Sequence, residues 1–195
     1  MPAGRPRQFD ANVALDRALE VFWEKGYQGA SLPELTEAMG INRPSLYAAF
    51  GNKESLFRKA LERYAEGPAA YVEQSLNEPD CRQAIEGLFK GAIEVMTARG
   101  YPGGCLIVQG ALACGEGAEP VRDALNAQRK KYQARVRQRL RKAKAEGDLP
   151  KSADPAELAR YVTAVVQGMA VQAAGGATAR ELHGVARLAL RAWPA

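Results

Sequence analysis

The stretch Gly40-Ile41-Asn42-Arg43-Pro44-Ser45-Leu46-Tyr47-Ala48-Ala49-Phe50-Gly51-Asn52-Lys53-Glu54 constrains the fold more than any other part of the chain. It reads as a tight turn, a very short helix over about 43–49, a second turn and the start of another helix. So short a helix does not hold itself together in water. Its neighbours must hold it through Leu46 and Phe50, which read as core. Its other side carries a cation and two hydroxyls where a core helix would carry aliphatics. A face of that kind is kept when it has to fit a partner surface.

The remaining sequence predicts an all-α protein, because apolar residues recur at helical spacing and no persuasive period-2 run is present. A first helix runs from about Ala11 to Lys25, capped by Asp10 and stopped by Gly26. Ser31-Leu32-Pro33-Glu34 is a capping-box start for a second, which Gly40 ends. After Asn52 a longer helix reaches about Glu66, and Gly67-Pro68 marks a break. Further helices are expected at about 81–99, 105–115, 119–146, 155–174 and 178–192. The segment 105–115 is nearly all apolar or small and is expected to be buried on every side. The pattern divides the chain into a head, residues 1–66, and a larger helical body, residues 67–195.

Composition excludes more than it identifies. Three cysteines, Cys81, Cys105 and Cys114, show no metal-ligand spacing, and His183 is the lone histidine. No metal site, cofactor or enzyme activity is expected. No apolar run approaches the about 18 residues of a membrane span. The short basic start, Met1 to Arg7, lacks an apolar signal region, so a cytoplasmic protein is the expectation. Net charge is +5 across 195 residues, yet residues 1–64 hold nine Lys/Arg against eight Asp/Glu. Any nucleic-acid footprint must come from local placement of charge. Nine Lys/Arg between Arg129 and Lys144 read as a solvated outer helix face.

Ala18, Phe22, Gly26-Tyr27, Ser31-Leu32-Pro33-Glu34-Leu35, Gly40-Ile41, Ser45-Leu46-Tyr47, Phe50, Lys53-Glu54 and Leu56 together resemble the TetR family of bacterial regulators. The resemblance covers about residues 9–62. Gly104-Cys105-Leu106 also looks like the entry to the sixth helix in a TetR subgroup that begins with a Gly-Arg-Pro-Arg arm, as Gly4-Arg5-Pro6-Arg7 does here.

The resemblance implies a helix-turn-helix head whose second helix lies in the major groove of double-stranded operator DNA. Arg43 then has the planar donor fork for a guanine edge, and Pro44 an apolar edge for a thymine methyl. Ser31, Ser45, Tyr47 and Lys53 carry over as DNA-contacting positions, chiefly toward phosphates. Arg5 and Arg7 would form a minor-groove arm. Asn42 reads as a cap, and Arg58 and Lys59 as a solvated face. Ala48 and Ala49 stand where the family often has a bulky aromatic and a histidine, which shifts base reading toward Arg43 and the arm.

The family also pairs through its last two long helices, here 155–174 and 178–192, in a four-helix bundle. Leu158, Val162, Val165, Met169 and Ala173 form a near-heptad stripe, and Gly168, Ala170 and Ala174 are small enough for close approach. A small-molecule effector, mostly apolar or aromatic, would sit among Phe89, Met96, Tyr101, Val108, Leu112, Tyr132, Val136, Tyr161, Val165 and Met169. The expected function is a ligand-responsive repressor that binds a palindromic operator as a homodimer, with the helix after Asn52 as the coupling lever. The alternative is a redox- or electrophile-sensing regulator using Cys105, whose place at a helix start lowers thiol pKa.

Overall fold

The computed structural model describes residues 9–112 and 117–194; among these every regular element is helical. The order is α1 Ala11–Gly29, α2 Leu32–Met39, α3 Arg43–Phe50, α4 Lys53–Glu66, a 3-10 turn Pro68–Ala70, and α5 Tyr71–Leu76. Then come α6 Cys81–Thr97, α7 Leu106–Leu112, α8 Glu119–Glu146, α9 Pro155–Ala174 and α10 Ala179–Arg191. No described helix is long and apolar enough to cross a membrane.

Side-chain caps explain where most of the helices begin. The Asp10 carboxylate accepts from the Asn12 N–H at 2.8 Å. Asn42 Oδ1 accepts from the Ser45 N–H at 2.9 Å, and Asn52 Oδ1 from the Ser55 N–H at 2.8 Å. Ser31 with Glu34, and Thr178 with Glu181, close full capping boxes. Each such bond satisfies one of the N–H groups that a helix start leaves without an internal partner. Gly26 interrupts α1 with φ 70°, so the chain turns where a stop is expected, then regains a last helical turn to Gly29. Gly40 (φ 65°) makes the left-handed turn between α2 and α3, a conformation that costs a non-glycine residue.

Two apolar clusters build the molecule. The head packs α1 to α4 around Phe22, Leu35, Leu46, Leu56 and Phe57, all fully buried. That cluster continues into the body through Leu106 of α7 and Val121 and Leu125 of α8. The second cluster joins α6, α8, α9 and α10 through Ile85, Leu88, Val136, Leu140, Val162 and Leu182. Arg63 of α4 is held bidentate by Asp16 of α1 at 2.6 and 2.9 Å.

Several expectations need correction. The break at Gly67-Pro68 leads into a 3-10 turn and then α5, an unforeseen helix. Gly91 of α6 accommodates α5: a Cβ there would fall 2.5 Å from the Tyr71 ring. The helix over 105–115 is not buried on every side. Leu106 and Val108 are buried, whereas Ile107, Gln109 and Ala111 are half-exposed, and Ile107 and Val108 border a cavity. The basic face of α8 is only partly solvated. Arg139 is buried and donates to the carbonyls of Glu78 (3.0 Å) and Pro79 (2.9 Å), and Arg135 pairs with Glu73. Lys144 donates to the Ala153 carbonyl at 2.7 Å. Arg58 pairs with Glu54 and also reaches the Pro120 carbonyl (3.4 Å), bridging head and body rather than only facing water.

The stripe expected to serve pairing is largely turned into this chain's own core. Val162, Met169, Ala170 and Ala173 are buried in this chain's own core, and Leu158 and Val165 pack against it. The outward face carries Tyr161, Ala164, Gly168 and Val171 instead. A helix apolar on two sides gives one periodicity from two overlapping stripes, and spacing alone does not tell the inner from the outer.

Candidate nucleic-acid interface and inner cavity

α3 is presented as its composition requires. Leu46 and Phe50 anchor it, with Leu46 wholly buried, while Arg43, Pro44, Tyr47 and Ala48 are exposed. Tyr47 is 48% exposed, a large fraction for an aromatic residue in an eight-residue helix. Arg43, at the first helical position, forms no ion pair among the described residues. Ser45 is half-exposed and its N–H is used by the Asn42 cap. The turn before α3 and the first turns of α2 form a shallow groove lined by Pro33, Thr36, Glu37, Gly40, Ile41, Asn42 and Arg43.

The flanking candidates are more committed. The Ser31 hydroxyl donates to Glu34 Oε2 at 2.6 Å and accepts from the Glu34 N–H at 3.3 Å, so it serves the start of α2 while staying exposed. Hydrogen bonds from Lys25 and then Ser31 hold the Glu34 carboxyl down at about 2. Lys53 is half-buried, with Nζ 4.6 Å from the centre of the Tyr27 ring, a cation–π position. Burial lowers its pKa, with the Glu34 charge opposing. Arg5 and Arg7 lie outside the described residues.

Inside the body is a cavity of about 150 Å³ between α4, α5, α7, α8 and α9. Of the residues expected to line a pocket, Met96, Val108 and Tyr132 do so, and Cys105 lies on the same wall. The others are elsewhere. Phe89, Val136 and Met169 are solid core, and Val165 is half-buried against that core. Tyr101 is exposed and stacks on Trp23 at the junction of head and body, with ring centres 5.3 Å apart. Tyr161 lies on the outward face of α9 and donates to the Ala189 carbonyl at 3.2 Å. The Leu112 side chain lies outside the described set, as does Cys114.

Spacing did not single out Tyr64, Tyr71, Ile107 or Val166, which also line the cavity, nor the polar residues Glu73, Gln128, Arg129, Lys131, Arg135 and Gln167 on the same wall. Tyr71 belongs to the unforeseen α5, and Tyr64 reads as head core because its ring does pack there, edge-on to Trp23 at 4.9 Å. The Tyr64 hydroxyl donates to Cys105 Sγ at 3.3 Å. The Tyr132 hydroxyl is buried with no hydrogen-bond partner. Burial raises the pKa of Tyr64, Tyr71 and Tyr132, so all three remain neutral donors. Burial also pushes the Cys81 thiol up to about 11. Among the described residues no group of three or more His, Cys, Asp or Glu could hold a metal ion.

A short helix held by its neighbours with a cationic, hydroxyl-bearing outer face, set on a larger helical body, defines a helix-turn-helix DNA-binding regulator. Comparison with known proteins agrees. Residues 14–60 match the family "Bacterial regulatory proteins, tetR family", and residues 81–189 match "Tetracyclin repressor-like, C-terminal domain". The HTH-type transcriptional repressor ComR of Escherichia coli is 34% identical over 98% of this chain and 92% of its own length. A cysteine mutant of the TetR family transcriptional regulator CifR, solved in complex with 26-base-pair operator DNA, is 44% identical. It superposes with a TM-score of 0.94 over 97% of this chain and all of that one. A TetR regulator from Rhodococcus sp. RHA1 is 43% identical with a TM-score of 0.65, over 95% of this chain and 99% of that one. The chain belongs to the TetR family: it is a DNA-binding transcriptional regulator and not an enzyme.

Proposed function

We propose that this chain is a ligand-released repressor that binds a two-fold operator as a homodimer. The observation that carries the reading is the outward presentation of Arg43, Pro44 and Tyr47 on α3, anchored from behind by Leu46 and Phe50. The fold's likeness to a CifR structure complexed with operator DNA supports it, and the full-length relation to the repressor ComR supports the sign of regulation.

Arg43 reads a guanine edge from the start of α3, and Pro44 meets a thymine methyl. Ser45 and Tyr47 bond phosphates, and Lys53, steadied by Tyr27, adds a charge at the start of α4. Ser31 borders the same face through the start of α2. Arg5 and Arg7 follow the minor groove, where arginine is favoured. Residues 1–66 do the reading and residues 67–195 the sensing and pairing, although Leu106, Val121 and Leu125 knit the two into one apolar cluster. DNA binding of this kind belongs in the cytoplasm.

Pairing uses α9 and α10. Tyr161, Ala164, Gly168 and Val171 form the outward face of α9, and Leu188 of α10 is 64% exposed. A Cβ on Gly168 would meet nothing within 4 Å in this chain. The smallness of that residue therefore serves no internal contact, as expected where a partner helix approaches.

Release begins in the cavity. Tyr64 sits on its wall and against Trp23 of α1, so a ligand that moves Tyr64 moves the head through α1 as well as α4. Such a ligand needs only to favour the non-binding arrangement by a few kcal/mol. Thiol sensing by Cys105 is the weaker reading, because Sγ is half-buried and already accepts from Tyr64.

The test is selection of bound duplexes from a random pool. Enrichment of inverted half-sites about 10 base pairs apart centre to centre, or a multiple of that, is expected. Recovery of sequences without two-fold symmetry contradicts the reading.

A further inference from the structure

Four cations of the helical body are withdrawn from solvent among the described residues: Arg129, Arg135, Arg139 and Lys144. Three of them have structural work. Arg135 pairs with Glu73 across α8 and α5. Arg139 fastens the turn after α5 through the carbonyls of Glu78 and Pro79, and Lys144 fastens the turn before α9 through that of Ala153. Arg129 differs. It donates to Gln167 Oε1 at 3.1 Å and forms no ion pair among the described residues. A charge held partly out of water calls for a counter-charge, and a neutral side-chain amide supplies only a dipole.

Arg129 and Gln167 both line the inner cavity, and both also line a polar cleft between α8 and α9. Their bond therefore stands between the two spaces. The inner one offers an apolar seat of about 150 Å³ among Tyr64, Tyr71, Met96, Val108 and Val166, the size of a cavity known to hold benzene. Its charged lining is Arg129, Lys131 and Arg135 against the single acid Glu73, which Arg135 already holds. Lys131 is exposed and screened by solvent, which leaves Arg129 as the charge that an anion in the cavity feels most. The outer cleft adds Lys130 and Arg160 but also the acid Asp123, and has no comparable apolar seat. We propose that the body binds a small monocarboxylate carrying about one ring: the ring fills the inner cavity, and the carboxylate replaces the Gln167 amide on the Arg129 guanidinium. This rests on reading the body as a ligand sensor and specifies the class of ligand. The exchange sets two parallel bonds to a charged group in place of one bond to a neutral oxygen.

The test is calorimetric titration of the full chain with benzoate, benzamide and acetate at one salt concentration. Benzamide keeps the ring without the charge, and acetate the charge without the ring. Benzoate is expected to bind at least about tenfold tighter than either. Arg129→Gln is expected to bring benzoate down to the level of benzamide and leave benzamide unchanged. Lys130→Gln, a neighbour that lines only the outer cleft, is expected to change benzoate binding by less than about threefold. Circular dichroism melts check that both variants fold; if Arg129→Gln does not, Arg129→Lys keeps the charge without the fork and is expected to weaken benzoate by about threefold or more. Failure of benzoate to bind overturns the proposal, as does benzamide or acetate binding as tightly, and neither comparison needs a variant. So does a benzoate preference that survives undiminished in the Arg129 variant, or an equal loss in Lys130→Gln. A parallel arm measures anisotropy of a selected DNA duplex. Binding of benzoate without release of that duplex upholds the ligand class and defeats the release mechanism instead.

Discussion

Replacing Leu188 with glutamate is expected to split the dimer while sparing the fold. In the lone chain Leu188 is 64% exposed on α10, while Leu182, Ala186 and Ala189 of the same helix are buried beneath it. Burying a leucine side chain fully contributes about 1.5–3 kcal/mol, so the exposed two-thirds contributes about 1–2 kcal/mol to each protomer of a pair. A two-fold interface repeats every contact, which doubles this to about 2–4 kcal/mol. A loss of about 3 kcal/mol raises the dimer dissociation constant by roughly a hundredfold. Glutamate adds to this by desolvating two carboxylates at the interface. Sedimentation equilibrium over a range of protein concentrations measures the constant directly. Circular dichroism melts check that the monomer stays folded, and operator binding should weaken in step with dimer loss. An unchanged association constant refutes the reasoning, because Leu188 would then be ordinary surface. A collapsed melting temperature in monomeric protein refutes it too, because Leu188 would then be serving the chain's own core.

Two further outcomes follow from local geometry. Gly104→Ala places a Cβ 2.9 Å from the Ala170 carbonyl oxygen at φ 84°, combining left-handed strain with a clash between the turn before α7 and α9. It is expected to cost about 2–4 kcal/mol of stability, read by chemical denaturation; a loss below about 0.5 kcal/mol contradicts that packing. Glu34 has its pKa held below the ordinary 4.5, at about 2, so the stability it contributes is present above pH 4.5 and is lost as pH falls toward 2. Thermal melts of the natural chain should therefore fall more steeply across that window than melts of Glu34→Gln, and parallel curves count against the Lys25–Glu34–Ser31 arrangement.

The head was legible in sequence because its signals are local. Asp10, Ser31 with Glu34, Asn42 and Asn52 each announce a helix start within three or four residues, and each makes its bond. The body was less legible because its determinants are distant. α5 has only six residues and no side-chain cap, and its Tyr71 finds its place against Gly91, twenty positions on. The cavity wall draws Tyr64 from the head and Val166 from α9, so no single periodicity reveals it. The outward stripe of α9 was hidden behind a stronger inward one.

The central claim is that α3 reads duplex DNA from its first turn. The direct measurement is the binding of Arg43→Ala and the natural chain to a selected operator, to that operator with each half-site base pair changed in turn, and to scrambled duplex, all at one salt concentration. The account predicts a loss of about 1–3 kcal/mol on the operator, with discrimination relaxed at a single base pair of each half-site and most scrambled-duplex affinity retained. Equal losses on every duplex, or no loss on any, would contradict it.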